Sequence, residues 1–159
     1  MIRIRDYEHG DAVAIVHLFY DTIHSINQLD YSAEQVQAWD PEIPDAQVWH
    51  NRMIARCRLV TDQAGELLGF AELEPQGHLD MLYCRSDVVG RSIGPRLYDA
   101  LEAKARANGL LCIFVEVSIT ARPFFLRCGF NVIQEQTVFR RGVSLTNFKM
   151  KKSLVQHAT

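Results

Sequence analysis

Residues 87–109, DVVGRSIGPRLYDALEAKARANG, set Gly90 and Gly94 immediately ahead of a strong helical pattern. Glycine admits positive φ or the close approach of another molecule. The first turn of a helix leaves backbone N–H groups without partners, which makes it an anion site. Two readings are open: a tight strand-to-helix turn, or a cradle in which the amides from Val89 to Gly94 converge on a pyrophosphate. In the second, Arg91 and Arg96 add positive charge. Two other phosphate loops are absent, since the sequence has neither GxxxxGK(S/T) nor GxGxxG. Cys57, Cys84, Cys112 and Cys128 show no CxxC pair or zinc spacing, and their apolar surroundings predict buried, reduced thiols in a cytoplasmic protein. Six histidines without HExxH or clustered carboxylates predict no metal.

The elements that must hold the glycines are readable from periodicity. IRIRDY alternates as a strand, and AVAIVHLFYDTIHSIN repeats Val16, Phe19, Ile23 and Ile26 at helical spacing. SAEQ at 32–35 is a capping box opening a short helix to Trp39, and DAQVWHNRMIA starts another at Asp45. CRLVTD, ELLGFAELE and HLDMLYC read as strands separated by glycine turns. After the glycines, Ile93, Leu97, Leu101 and Ala105 form one helical stripe that stops at Asn108-Gly109. LLCIFVEVS reads as a buried strand by its continuous apolar character. A helix from about Thr120 to Cys128 follows, and NVIQEQTVF and VSLTNFKMK close the chain as a hairpin through Arg-Arg-Gly. The order predicts one mixed α/β domain over residues 1–152, with 153–159 a tail. At 159 residues and 48% apolar content the chain is long enough for its own core. A net charge of −2 offers no electrostatic case for nucleic acid or an anionic membrane. The longest apolar run, LLCIFV, is too short to span a bilayer, and the N-terminus lacks a signal peptide's apolar stretch.

LYCRSDVVGRSIGPRLYDALEAKARANG and the later VEVSITARPFFLRCGF resemble the GCN5-related N-acetyltransferase (GNAT) superfamily, and GHLDMLY with SITARPFF is similar to its small bacterial branch. The resemblance implies an α+β fold: a mixed, mostly antiparallel sheet of six to seven strands, flanked by helices and splayed around its central strands. It implies acetyl-CoA as co-substrate, without a metal. The pyrophosphate would rest on Val89, Gly90, Arg91, Ser92, Ile93 and Gly94, and the pantetheine arm would pair along Leu82, Tyr83 and Cys84. The family loop, Gln/Arg-x-x-Gly-x-Gly/Ala, is degenerate here: Val89 takes the first position, Ser92 replaces the central glycine and Gly94 is kept. Ser92 fits if its φ stays negative. Ser118 and Phe125 stand where the family often has Asn and Tyr, the Tyr serving to protonate the leaving thiolate.

Phe125 cannot donate that proton. A thiol of pKa about 8.5 leaves unprotonated near pH 7 at a cost of only about 2 kcal/mol. The amine side is more demanding, because a lysine-like amine of pKa about 10.4 must first lose a proton, at about 4.6 kcal/mol. Strand alternation puts His78, Asp80 and Leu82 on one face of HLDMLYC and Leu79, Met81 and Tyr83 on the other. Asp80 or His78 is then the first candidate base, acting through water. Glu116 and Ser118 share a face of the following strand, Glu72 is a further candidate, and an amide near Tyr83 would hold the oxyanion. Each has a plain structural alternative, such as Asp80 pairing with an arginine. The resemblance sets the N-terminal helices over the acceptor, with His24, Tyr31, Trp39 and Trp49 available as contacts. It implies direct transfer, in a ternary complex, to a small-molecule or peptide amine, and it is compatible with a homodimer. The net charge slightly favours cationic acceptors. A non-catalytic acyl-CoA-binding or sensor module of the same fold is the alternative.

Overall fold

The computed structural model describes residues 2–54, 56–62, 64–88 and 92–155. Four antiparallel strands run in order β1 (Arg3–Asp6), β2 (Cys57–Thr61), β3 (Leu67–Leu73) and β4 (Leu79–Cys84). A second antiparallel sheet has the order β5 (Cys112–Ser118), β7 (Val143–Ser153), β6 (Asn131–Arg140). Among the described residues the two sheets are joined by a bridge where His78 pairs with Phe114 in parallel and the Phe114 amide donates to the Gly77 carbonyl at 3.1 Å. Beyond it β4 and β5 diverge, so the expected splayed α+β sheet is present.

Between β1 and β2 lie α1 (Ala12–Ser25), α2 (Ala33–Trp39) and α3 (Ala46–Met53). The capping box forms as the sequence predicts. Ser32 Oγ accepts from the Gln35 amide at 3.1 Å, and Gln35 Oε1 accepts from the Ser32 amide at 2.9 Å. On the opposite side α4 (Ile93–Ala107) joins β4 to β5, and α5 (Arg122–Arg127) follows β5. Ile93, Leu97, Leu101 and Ala105 are all buried, packing with Ile113, Val115 and Val117 of β5 and Phe148 and Met150 of β7. A separate cluster under α1 and α3 contains Ile15, Met53, Phe70 and Met81. Among the described residues no helix is long and apolar enough to cross a membrane.

Two local expectations need correction. β5 is not buried throughout: Ile113, Val115 and Val117 are buried, whereas Phe114 and Glu116 are exposed. Its ladder runs antiparallel to β7, and α4 and α5 cover only one of its faces. Alternation also fails in β4. Leu73 pairs with Leu79 but Glu72 pairs with Met81, leaving Asp80 as the extra residue of a β-bulge. Leu79 therefore packs under α4, while Met81 and Tyr83 turn to the cluster under α1 and α3.

Candidate active site

Two cavities open on either side of the splay. The first, about 330 Å³, lies over the outer face of β5, β7 and β6 and beneath α1–α3; Trp39, Trp49, Arg52, Asp80 and Glu116 help to line it. The second, about 350 Å³, lies between β4, the start of α4 and α5, with Thr22, Cys84, Ser92, Ile93 and Gly94 on its walls. Leu82, Tyr83, Ser118, Ala121 and Phe125 line both, so the cavities meet where β4 and β5 separate.

The second cavity has features suited to a thioester-bearing arm with an anionic end. Arg85 donates its amide to Leu68 at 2.8 Å, and antiparallel alternation then turns the Tyr83 amide toward β3. The amides of Leu82 and Cys84 face away from β3, toward the splay. Consistent with this, the Cys84 carbonyl accepts from Thr22 Oγ1 at 3.0 Å. The oxyanion donor expected near Tyr83 is thus better sought at Leu82 or Cys84. At the start of α4, Pro95 carries no N–H and the Arg96 amide bonds to the Ser92 carbonyl at 3.3 Å. Ile93 and Gly94 supply the amides that lack an intrahelical acceptor. Ser92 adopts φ 65°, a left-handed conformation, which overturns the expectation of a negative φ and explains why a glycine is usual at this point of the loop. Gly94 has a packing reason as well: a Cβ there would sit 3.1 Å from Phe124 Cε2. Val89, Gly90 and Arg91 lie outside the described residues.

The titratable groups divide sharply by environment. Asp80 forms an ion pair with the Arg52 guanidinium, whose Nε also lies 3.1 Å from Glu72 Oε2. Glu72 is fully buried, and burial pushes its carboxyl above the ordinary range although Arg52 and Arg56 oppose the shift. It does not line the first cavity. Nor does His78, which stacks on Phe114 and places Nδ1 3.4 Å from Glu74 and 4.0 Å from Asp80. Glu74, His78 and Asp80 bring one possible metal-ligating atom each within 4.8 Å of the others, with Arg52 competing for Asp80. Glu116 faces the cavity and, among the described residues, has no ion-pair partner. Ser118 Oγ accepts from the Ala121 amide at 3.1 Å, shaping the turn into α5.

The candidate contacts from the N-terminal helices fare unevenly. Trp39 and Trp49 line the first cavity. Tyr31 lines it too but is buried, its hydroxyl accepting from the Ile119 amide at 2.8 Å and donating to the Thr146 carbonyl at 2.7 Å. His24 is directed elsewhere, with Nε2 2.6 Å from the Asp40 carbonyl and its ring stacked on Tyr20. Phe125 is buried against Phe124 and Phe130. Arg52, Arg140 and Asn147 of this cavity escaped the sequence reading. Asn147, standing where the alternation of Val143 and Leu145 calls for an apolar residue, was an available signal. All four cysteines are free thiols; only Cys57 is fully buried. Burial pushes Cys57 up to about 12 and Cys84 and Cys128 up to about 11.

The comparisons with known proteins agree with this architecture. The acetyltransferase (GNAT) domain model matches residues 27–152. The uncharacterized N-acetyltransferase YafP of Escherichia coli (strain K12) is 29% identical over 150 residues, covering 94% of this chain and 95% of YafP. A crystal structure of a GCN5-related N-acetyltransferase, "Aminotransferase, Class-II", from Rhodopseudomonas palustris is 37% identical with a TM-score of 0.89, covering 96% of this chain and 95% of that one. YncA from Salmonella typhimurium, solved with its cofactor acetyl-CoA, shares the fold at 17% identity and a TM-score of 0.75, over 100% of this chain and 97% of its own. With the family model covering most of its length and the splayed strands in place, the chain belongs to the GNAT acetyltransferases.

Proposed function

We propose that this chain is an acetyl-CoA-dependent N-acetyltransferase that passes acetyl directly to a primary amine in a ternary complex. The meeting of two cavities at the splay carries the reading. One cavity suits the pantetheine arm and the other suits the acceptor, and their shared wall at Leu82, Tyr83, Ser118, Ala121 and Phe125 is where thioester and amine would meet.

In the reaction the amine nitrogen attacks the thioester carbonyl carbon, a C–N bond forms, the C–S bond breaks and CoA leaves as thiolate. An outward amide of Leu82 or Cys84 would stabilise the developing oxyanion. The ammonium proton must leave before attack. Arg52 already occupies Asp80, so Glu116 is the better placed carboxylate to take the proton through water. Phe125 supplies no acid, and the thiolate is basic enough to collect a proton from solvent. The Cys84 and Cys128 thiols, held protonated by burial, are poor nucleophiles, which favours direct transfer over an acyl-enzyme.

Calorimetric titration with acetyl-CoA, CoA and ATP tests the cofactor. Micromolar binding of acetyl-CoA is expected, at least tenfold weaker in Thr120→Trp, which fills the second cavity from its wall. Thr120 Oγ1 makes no hydrogen bond among the described residues, so its loss costs the fold little, and an unshifted melting temperature verifies that. Absence of binding to any CoA species sinks the enzyme reading. Binding without turnover across an amine panel supports the sensor alternative.

A further inference from the structure

The acceptor cavity carries opposite charges at its two ends. Across the second sheet, Ser118 lies opposite Asn147 and Asn147 opposite Gln136; Val138 lies opposite Leu145 and Arg140 opposite Val143. Directly opposed residues share a face of a sheet, so Glu116, Ser118, Asn147, Val138 and Arg140 point to one side. All five line the first cavity. At the splay end, Glu116 forms no ion pair among the described residues, although Lys149 stands directly opposite it on β7. At the far end, Arg140 has no carboxylate within ion-pair distance among the described residues; its guanidinium donates to the neighbouring Phe139 carbonyl at 3.4 Å. Arg52 differs, being engaged by Glu72 and Asp80. Arg140 is also held in place: the next residue, Arg141, donates to the carbonyls of Ala38 at 2.6 Å and Trp39 at 3.2 Å, tying the hairpin tip to the end of α2. Also at the splay end, across from Ser118, Asn147 Oδ1 is buried without a hydrogen-bond partner among the described residues, an acceptor waiting for an N–H.

Resting on the proposed N-acetyltransferase reading, we infer that the acceptor is an elongated amino acid, with a primary amine at one end and a carboxylate or similar anion at the other. The amine meets Glu116 and Asn147 Oδ1 at the splay, and the anion meets the Arg140 guanidinium at the mouth. The body between them is apolar or aromatic, packing on Trp39, Trp49 and Val138. Two strand spacings and four residues of rise put the Arg140 Cα about 17 Å from the Ser118 Cα, hence roughly 10 Å from amine to anion once the arginine reaches inward. A free α-amino acid, whose two groups share one carbon, is too short to bridge the charges. This refines the slight preference for cationic acceptors drawn from net charge.

The test compares kcat/KM for 4-(aminomethyl)phenylacetate, its neutral primary amide and phenylalanine, with acetyl-CoA binding measured on the same preparations. The acid is expected to exceed the amide and phenylalanine by at least tenfold. Arg140→Gln should bring the acid level with the amide, and Arg140→Glu should reverse their order. Arg140 is exposed, so both variants keep the wild-type melting temperature. Equal rates for acid and amide in the wild type, or a preference that survives both substitutions, overturns the inference and leaves the transferase reading standing. So does failure of all three amines to react when acetyl-CoA binds. Failure of acetyl-CoA itself to bind removes the reading on which the inference rests, and the inference with it.

Discussion

Ser92 holds φ 65° at the entrance to α4, and its side chain makes no capping hydrogen bond there. A β-carbon in that conformation costs about 1–2 kcal/mol, and glycine recovers part of it while adding unfolded-state entropy. Ser92→Gly is therefore expected to stabilise the protein by about 0.5–1 kcal/mol, read as a higher urea midpoint at an unchanged m-value. Loss of stability would mean the hydroxyl makes a contact that outweighs the strain. Asp80 shows the same principle, that a residue's neighbours set its role. As the extra residue of a bulge beside Arg52 it is part of an ion-pair chain with Glu72, and the less encumbered Glu116 is left facing the cavity.

At the level of elements, α4 must be held firmly if its first turn is to present the Ile93 and Gly94 amides in a fixed direction. Glu102 does much of this. Tyr98 donates to it at 2.8 Å, Arg106 Nε lies 3.3 Å away, and Lys152 of β7 approaches to 2.5 Å while donating to the Cys128 carbonyl at 2.8 Å. Burial alone would push the Glu102 carboxyl up, but Lys152, Tyr98 and Arg106 together hold it below its ordinary value. A folded value below the unfolded one of about 4.3 stabilises the protein above that pH, and the gain is lost as pH falls through the folded value. Glu102→Gln should thus cost about 2 kcal/mol at pH 7, with the difference from wild type closing below the unfolded value; chemical denaturation at several pH values measures it. A gap that persisted in acid would assign the loss to packing. Elements set by local signals were legible in the sequence: the Ser32–Gln35 capping box, the Ile93–Ala105 stripe, and the hairpin whose turn residues Arg141 and Gly142 take φ 49° and 79°. What depended on distant partners was not. No residue of HLDMLYC announces the bulge at Asp80, the Arg52–Glu72 contact spans 20 positions, and the Asn147 side chain gains its meaning only when β5 and β6 flank it. The start of α4 at Ile93 and Gly94 was legible from the glycine-to-helix pattern, whereas the close approach of Phe124 to Gly94 required the tertiary fold.

For the whole molecule the feature that matters most is the seam where His78 bridges Phe114 before β4 and β5 part. Gly77 occupies it with φ +103°, its amide bonding to Glu74 at 3.0 Å and its carbonyl accepting from Phe114. A Cβ there would stand 2.7 Å from the Cys112 carbonyl oxygen, which is backbone of β5 and cannot step aside without moving the strand. The angle between β4 and β5 beyond the seam, and with it the junction of the two cavities, depends on that contact. Gly77→Ala is expected to lose about 2–4 kcal/mol and, at a temperature where it remains folded, to bind acetyl-CoA at least tenfold more weakly. Gly65→Ala separates backbone strain from the seam. Gly65 also has a positive φ, +80°, but a Cβ there meets nothing within 4 Å and the turn lies away from both cavities. That variant should lose stability through strain alone and keep wild-type acetyl-CoA affinity. If both variants weakened binding equally, the effect would belong to general destabilisation; if only Gly77→Ala does, the seam sets the geometry of the wall that the two cavities share.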